Sequence, residues 1–168
     1  SVKSIGDSAF NGCSSLTHIT IPKNIKSIAD KTFAYCTSLA TTSLPDSLTT
    51  IGYQAFYNID SLKTLILGKN IKTIDNSAFA SCAYVGELYV YSTHIDSCGD
   101  NIFNALGDSV DGGIYVFVAK NVEIIPEKFM YATHDSVNIN KIEFEEGSVC
   151  KRVEAYGLTS IRTKEIIL

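Results

Sequence analysis

The sequence predicts a repeat solenoid of α/β class, in which short strands stack as a parallel sheet and turns or short helical pieces close the other side. Three observations carry this. Phe10, Phe33, Phe56 and Phe79 recur every 23 residues, and Phe103 and Phe129 follow after 24 and 26. Between successive phenylalanines lies a short segment with apolar residues at alternate positions, such as Ile19/Ile21 or Leu65/Leu67. A second apolar pair, such as Ile25/Ile28, follows at a fixed distance. Units of this length cannot bury an apolar face alone, so they stack and share one continuous core.

The elements follow in order within each unit. Leu16-Thr17-His18-Ile19-Thr20-Ile21 alternates with period 2, which reads as a short strand with every second residue inward. Leu39 to Leu44, Leu62 to Leu67 and Val85 to Val90 repeat it, with Thr42 at an inward position of the second. Pro22 and Pro45 close the first two strands, because proline offers no donor to a ladder. Ile25/Ile28, Leu48/Ile51 and Ile71/Ile74 read as extended or turn segments packing back onto the core. Thr32-Phe33, Ala55-Phe56 and Ala78-Phe79 suit one short helical or 3₁₀ turn.

The period breaks once. The strand centres Ile19, Thr42, Leu65, Leu88, Val116 and Ile142 are spaced 23, 23, 23, 28 and 26 residues. The extra residues fall in 94–113, a stretch rich in Gly and Asp that reads as a surface loop. About six rungs are expected over 1–148. Residues 149–168 are expected to form a C-terminal cap or an atypical last repeat, with some strand at Lys164 to Leu168.

Composition bounds the function. The chain has 168 residues, 45% hydrophobic and 19% charged, which suits a globular domain. A net charge of -4 and scattered Lys and Arg argue against a nucleic-acid binder, which needs a clustered basic surface. The apolar run Ile114 to Ala119 is too short to span a bilayer. The chain opens inside a repeat, without an initiator Met or a signal peptide, so it is expected to be a piece of a longer protein.

Cys13, Cys36 and Cys82 each lie three residues after a repeat Phe and are expected to be buried packing residues. Cys13 and Cys36 on adjacent rungs would stand roughly 4.8 Å apart with parallel Cβ vectors, slightly too far for a relaxed disulfide. Nothing in the pattern places Cys98 or Cys150, and cysteine usage does not fix the redox compartment.

The frame L-x-x-I-x-I-P-x-x-(I/L)-x-x-I-x-x-x-A-F-x-x-C resembles the BspA-like, treponemal-type leucine-rich repeat. The resemblance covers roughly residues 1 to 148 and departs from the frame at Thr42, at Ile59 in place of Cys, and in the fifth and sixth units. It implies a leucine-rich-repeat horseshoe with the parallel sheet on its concave face. It further implies a surface-exposed or secreted microbial protein engaged in adhesion and in binding host proteins, including extracellular-matrix proteins.

With the inward residues used as scaffold, function is expected on the outward strand face. One outward column runs Thr20, Ser43, Ile66, Tyr89, Phe117, Glu143, and its neighbour His18, Thr41, Thr64, Glu87, Tyr115, Lys141. From the third rung on, Ile66, Tyr89, Tyr91, Tyr115 and Phe117, with Glu87, form a candidate binding patch of interface-favoured types. Two alternatives stand beside it: cover by the insertion or a neighbouring domain, or ordinary strand preference of Tyr and Phe.

Other motifs carry less. Gly107 to Gly113 is acidic and glycine-rich but lacks the ordered oxygen spacing of a calcium loop, so a solvated turn is expected. His94 and Cys98 are four apart, without a second pair to complete a metal site and without an orienting third group for catalysis. Gly6-Asp7-Ser8 and Gly107-Asp108-Ser109 resemble a hydrolase triplet, but the first occupies an ordinary repeat position. His18 and His134 are isolated. No catalytic residue, metal or cofactor is therefore expected. The sequence points to a non-enzymatic protein-binding or adhesion module, or alternatively to an accessory or spacer repeat domain of a larger surface enzyme. It leaves the ligand and the oligomeric state open.

Overall fold

The computed structural model describes residues 2–131, 137–153 and 161–167. Its strands alternate between two walls. In chain order they are β1 (His18–Thr20), β2 (Ser27–Ile28), β3 (Thr41–Ser43), β4 (Thr50–Ile51), β5 (Thr64–Leu67) and β6 (Thr73–Ile74). Then come β7 (Glu87–Val90), β8 (Ser97–Cys98), β9 (Ile114–Val118), β10 (Ile124–Ile125), β11 (Val137–Phe144), β12 (Arg152–Val153) and β13 (Ile161–Ile167). All ladders are parallel, the pairing a stacked repeat requires.

The first wall contains the expected strands. β5, β7, β9, β11 and β13 form one five-stranded sheet, and β1 pairs with β3 in a separate ladder. Register follows the repeat, with Ile66 opposite Tyr89 and Tyr89 opposite Phe117. Leu65, Leu67, Leu88, Val90, Val116 and Val118 point inward and are buried. The side chains of Thr41 and Thr42 lie outside the described residues. Between Ile139 and Lys141 the register slips by one residue, which absorbs part of the longer fifth interval.

The second wall is more regular than its sequence promised. The short segments ending at Ile28, Ile51, Ile74 and Cys98 form a four-stranded parallel sheet, β2-β4-β6-β8, and β10 pairs with β12. Each strand of the first wall passes to this one through a tight turn. The turn is closed by Ile25 N–H to Pro22 O at 3.0 Å, Leu48 N–H to Pro45 O at 2.9 Å, and Ile71 N–H to Gly68 O at 3.2 Å.

The third side corrects an expectation. The segments around each Phe are not helical among the described residues; they are chains of tight turns. Residues two before and two after the ring take left-handed backbone, as at Lys31 (φ 54) and Tyr35 (φ 60), or Gln54 (φ 51) and Asn58 (φ 56). A helix needs negative φ throughout, and these residues instead turn every second N–H out of the rung. Lys31, Phe33 and Tyr35 each donate to the next rung, to Tyr53 O, Ala55 O and Tyr57 O at 2.8 Å. The intervening amides stay within the rung, as in Ala34 N–H to Lys31 O at 3.2 Å.

The core lies between these walls. Phe33, Phe56, Phe79, Phe103 and Phe129 are fully buried, while Phe10 on the outermost rung is half-buried. Successive rings from Phe10 to Phe79 stack with centroids 5.3 Å apart. The step to Phe103 is 5.9 Å, and Phe103 meets Phe129 edge-on at 83°. The irregular rungs thus keep the column but change its geometry.

Two further expectations shift. Cys36 and Cys82 are buried, and each thiol donates to a carbonyl of the Phe column, Phe10 O and Phe56 O, at 3.1 Å. Cys13 is exposed, because its rung has a described neighbour on one side only. The break in period is also narrower than residues 94–113. Ile95 is buried, β8 joins the second wall, and Phe103 and Leu106 occupy core positions, so the extra residues concentrate in 107–113. Gly107 there has φ +69, and a Cβ would fall 2.1 Å from the Ile114 side chain. Only glycine fits that corner. Towards the C-terminus, β12 and β13 extend both walls.

Candidate functional site

The outer face of the first wall is built by the register alone. Because side chains alternate on a strand, burying Leu65/Leu67, Leu88/Val90 and Val116/Val118 forces Ile66, Tyr89, Tyr115 and Phe117 outward. Parallel pairing without slippage brings these residues side by side. Ile66 is 51% exposed and Tyr91 39%, while Tyr89, Tyr115 and Phe117 are half-buried.

The rings touch. Tyr89 lies with its centroid 6.4 Å from Tyr91, 6.3 Å from Tyr115 and 5.9 Å from Phe117, and Tyr91 lies 6.1 Å from Phe117. These are ordinary distances for offset or edge-on aromatic pairs. Phe117 also packs against the core, so it supports the face as well as belonging to it. All six residues singled out in the sequence therefore lie together on one surface.

Acidic groups border the rings. The exposed Glu87 carboxylate accepts from Thr64 Oγ1 at 3.2 Å and from the Tyr89 hydroxyl at 3.5 Å. On the next strands, Lys141 Nζ lies 2.7 Å from Glu143 Oε2, and Tyr115 hydrogen-bonds to Glu143. Partial desolvation first, and the adjacent Glu87 second, raise the Tyr89 hydroxyl pKa; desolvation and Glu143 do the same to Tyr115. The Lys141 hydrogen bond holds Glu143 below the usual carboxylate range. Tyr89 and Tyr115 are thus neutral phenols at neutral pH, and Glu143 an ionised carboxylate.

Beside the rings the wall opens into a depression of about 400 Å³, lined by Ser43, Leu44, Asp46, Ile66, Lys69 and Tyr91. It sits where the β1-β3 ladder and the five-stranded sheet part. Asp46 and Lys69 pair across it at 3.3 Å. The strand columns did not include these two residues. Their signal was present all the same, since each directly follows the turn residue that ends its strand, Pro45 or Gly68, one period apart.

The remaining motifs are placed as follows. His94 Nε2 meets Asp96 at 3.3 Å. Cys98 is half-buried in β8, and desolvation pushes its thiol up to about 12, which keeps it protonated and weakly nucleophilic at neutral pH. Cys82 is pushed up to about 12 by the same cause. Cys150 is also half-buried, with its thiol 3.8 Å from Arg152 O. His18 is exposed against Thr17 Oγ1 at 3.3 Å, and His134 lies outside the described residues. Ser8 of the first Gly-Asp-Ser triplet is one of the left-handed turn residues, with φ 57. Among the described residues no three His, Cys, Asp or Glu gather to hold a metal ion. No helix among them is long and apolar enough to cross a membrane.

A solved structure of a leucine-rich repeat protein from Bacteroides ovatus aligns over 98% of this chain and 72% of its own, at 16% identity and a TM-score of 0.46. No curated protein matches the chain. The BspA type Leucine rich repeat region matches in six copies over residues 3–133. With that match spanning most of its length, the chain belongs to the BspA-type leucine-rich repeat family.

Proposed function

We propose that this chain is a non-enzymatic protein-binding module, acting in adhesion on a cell-surface or secreted microbial protein, and that it grips its partner with the outer face of the first wall. The observation that carries this is the contiguous cluster of Ile66, Tyr89, Tyr91 and Phe117, partly exposed and in mutual contact. Exposed contiguous apolar and aromatic surface of this kind is characteristic of interaction sites, and Tyr is a favoured anchor there. Membership of a leucine-rich repeat family supports a protein-interaction role, and extracellular-matrix or host-surface proteins are the proposed partner class.

The test uses Tyr89→Ala/Tyr91→Ala, which spares Phe117 because that ring also packs on the core. Binding to an immobilised panel of extracellular-matrix proteins is measured by interferometry, with the melting temperature followed in parallel. The expected result is at least a roughly tenfold loss of binding, the scale of an interface anchor, with little change in melting temperature. Wild-type protein that binds nothing in the panel would favour the accessory-domain alternative. A large fall in melting temperature would make these tyrosines structural.

A further inference from the structure

We propose that the partner presents an arginine to the outer face, its guanidinium stacking on the rings of Tyr89, Tyr91 and Phe117 and pairing with Glu87; this rests on the binding role proposed above. Four observations converge on that occupant.

The first is ring chemistry. Tyr and Phe faces attract cations, most strongly planar, weakly hydrated ones. The chain already uses this elsewhere, with Lys63 Nζ 4.3 Å from the Tyr84 ring centre and Lys31 Nζ 5.4 Å from that of Tyr53. Among the described residues no Lys or Arg lies over Tyr89, Tyr91 or Phe117.

The second is Glu87. Its carboxylate is exposed, adjoins the rings, and accepts from the hydroxyls of Thr64 and Tyr89. Among the described residues it makes no ion pair. A carboxylate has room for about four hydrogen bonds, so a two-pronged guanidinium contact remains available.

The third is the local charge balance. Glu87 and Glu143 border the rings, and Lys141 stands beside Glu143. Lys141 is already committed to Glu143 at 2.7 Å, which also holds the Lys141 pKa above its ordinary value. At the other border, Lys69 is paired with Asp46. Among the described residues, Glu87 is therefore left without a cation.

The fourth is the discrimination between arginine and lysine. Arginine alone can lie flat on a ring and fork a carboxylate at the same time, whereas lysine presents a strongly hydrated point charge. A neutral apolar segment would fill the rings and leave Glu87 facing it uncompensated, which costs desolvation.

The experiment titrates ¹⁵N-labelled protein with a peptide of four Gly-Ser-Arg triplets and, separately, with the same peptide carrying citrulline, the neutral isostere of arginine. The proposal expects saturable shifts of the Ile66, Tyr89, Tyr91 and Phe117 amides with the arginine peptide. The citrulline peptide should bind at least about fivefold more weakly, and Glu87→Gln should weaken the arginine peptide by about tenfold. The difference between peptides should shrink as salt rises from about 50 to about 300 mM. Equal binding of both peptides, indifference to Glu87→Gln, or shifts elsewhere on the molecule would each overturn the proposal. So would a neutral hexasaccharide that shifts the same amides more strongly. If these arms fail while Tyr89→Ala/Tyr91→Ala still abolishes matrix-protein binding, the arginine site is wrong and the binding face stands.

Discussion

Phe56 shows how much one position of the repeat controls. It is fully buried and touches ring partners on both sides at 5.3 Å. Phe56→Ala is expected to cost about 3–5 kcal/mol in urea denaturation, because the neighbouring rungs cannot close over the void. A loss under about 1 kcal/mol would contradict the stacked column. Gly99 matters for the opposite reason. A Cβ there would lie 2.3 Å from both the Asn76 backbone N and its Oδ1, which accepts the Asp100 N–H at 2.7 Å. Gly99→Ala should therefore destabilise by about 1–3 kcal/mol through overpacking. Gly86→Ala, whose nearest neighbour is 3.8 Å away, should stay within about 0.5 kcal/mol. Phe56 was legible from spacing alone. Gly99 was not, since its requirement comes from an amide one rung away.

At the level of elements, strands were readable wherever period 2 governed burial, as at Leu65/Leu67 and Leu88/Val90. The second wall was readable only as extended segments, because two-residue strands are too short to show alternation and are defined by their ladders. The Phe arm read as turns or short helical pieces, and the turns were not singled out, for a physical reason. Lys31, Gln54 and Ala105 carry no residue signal for left-handed backbone, which ordinarily favours Gly or Asn. Lys31 and Gln54 are held there by hydrogen bonds to the next rung, to Tyr53 O at 2.8 Å and Asn76 O at 3.1 Å. A testable contrast follows within this arm. Ala105→Gly (φ 56) relieves a strained backbone and should leave stability unchanged or raise it by up to about 1 kcal/mol. Ala34→Gly, buried and not left-handed, should lower it by about 1 kcal/mol. Thermal melts of the two variants decide this, and equal losses would argue against the turn assignment.

For the molecule as a whole, stability should be distributed like that of a stack, with each rung supported by its neighbours. Hydrogen exchange is expected to be slowest at the amides of Phe33, Phe56 and Phe79, and faster at Phe10, whose ring is covered on one side only. Uniform protection along the chain would instead mean a single all-or-none unit. The candidate site was legible at this scale to the extent that it depends on register. Counting columns put Ile66, Tyr89 and Phe117 together, and the ladders place them opposite one another. The depression beside them was missed because its Asp46 and Lys69 lie past the strand ends, one period apart but outside the columns counted. The turn arm also gives the stack a polarity. At each of four steps, from the Phe10 rung to the Phe103 rung, three N–H groups point towards the C-terminal neighbour and meet its carbonyls. Aligned peptide dipoles add, so this arm acts as a rod magnetised, in effect, along the solenoid axis. Its positive pole lies at the C-terminal end, the reverse of an α-helix.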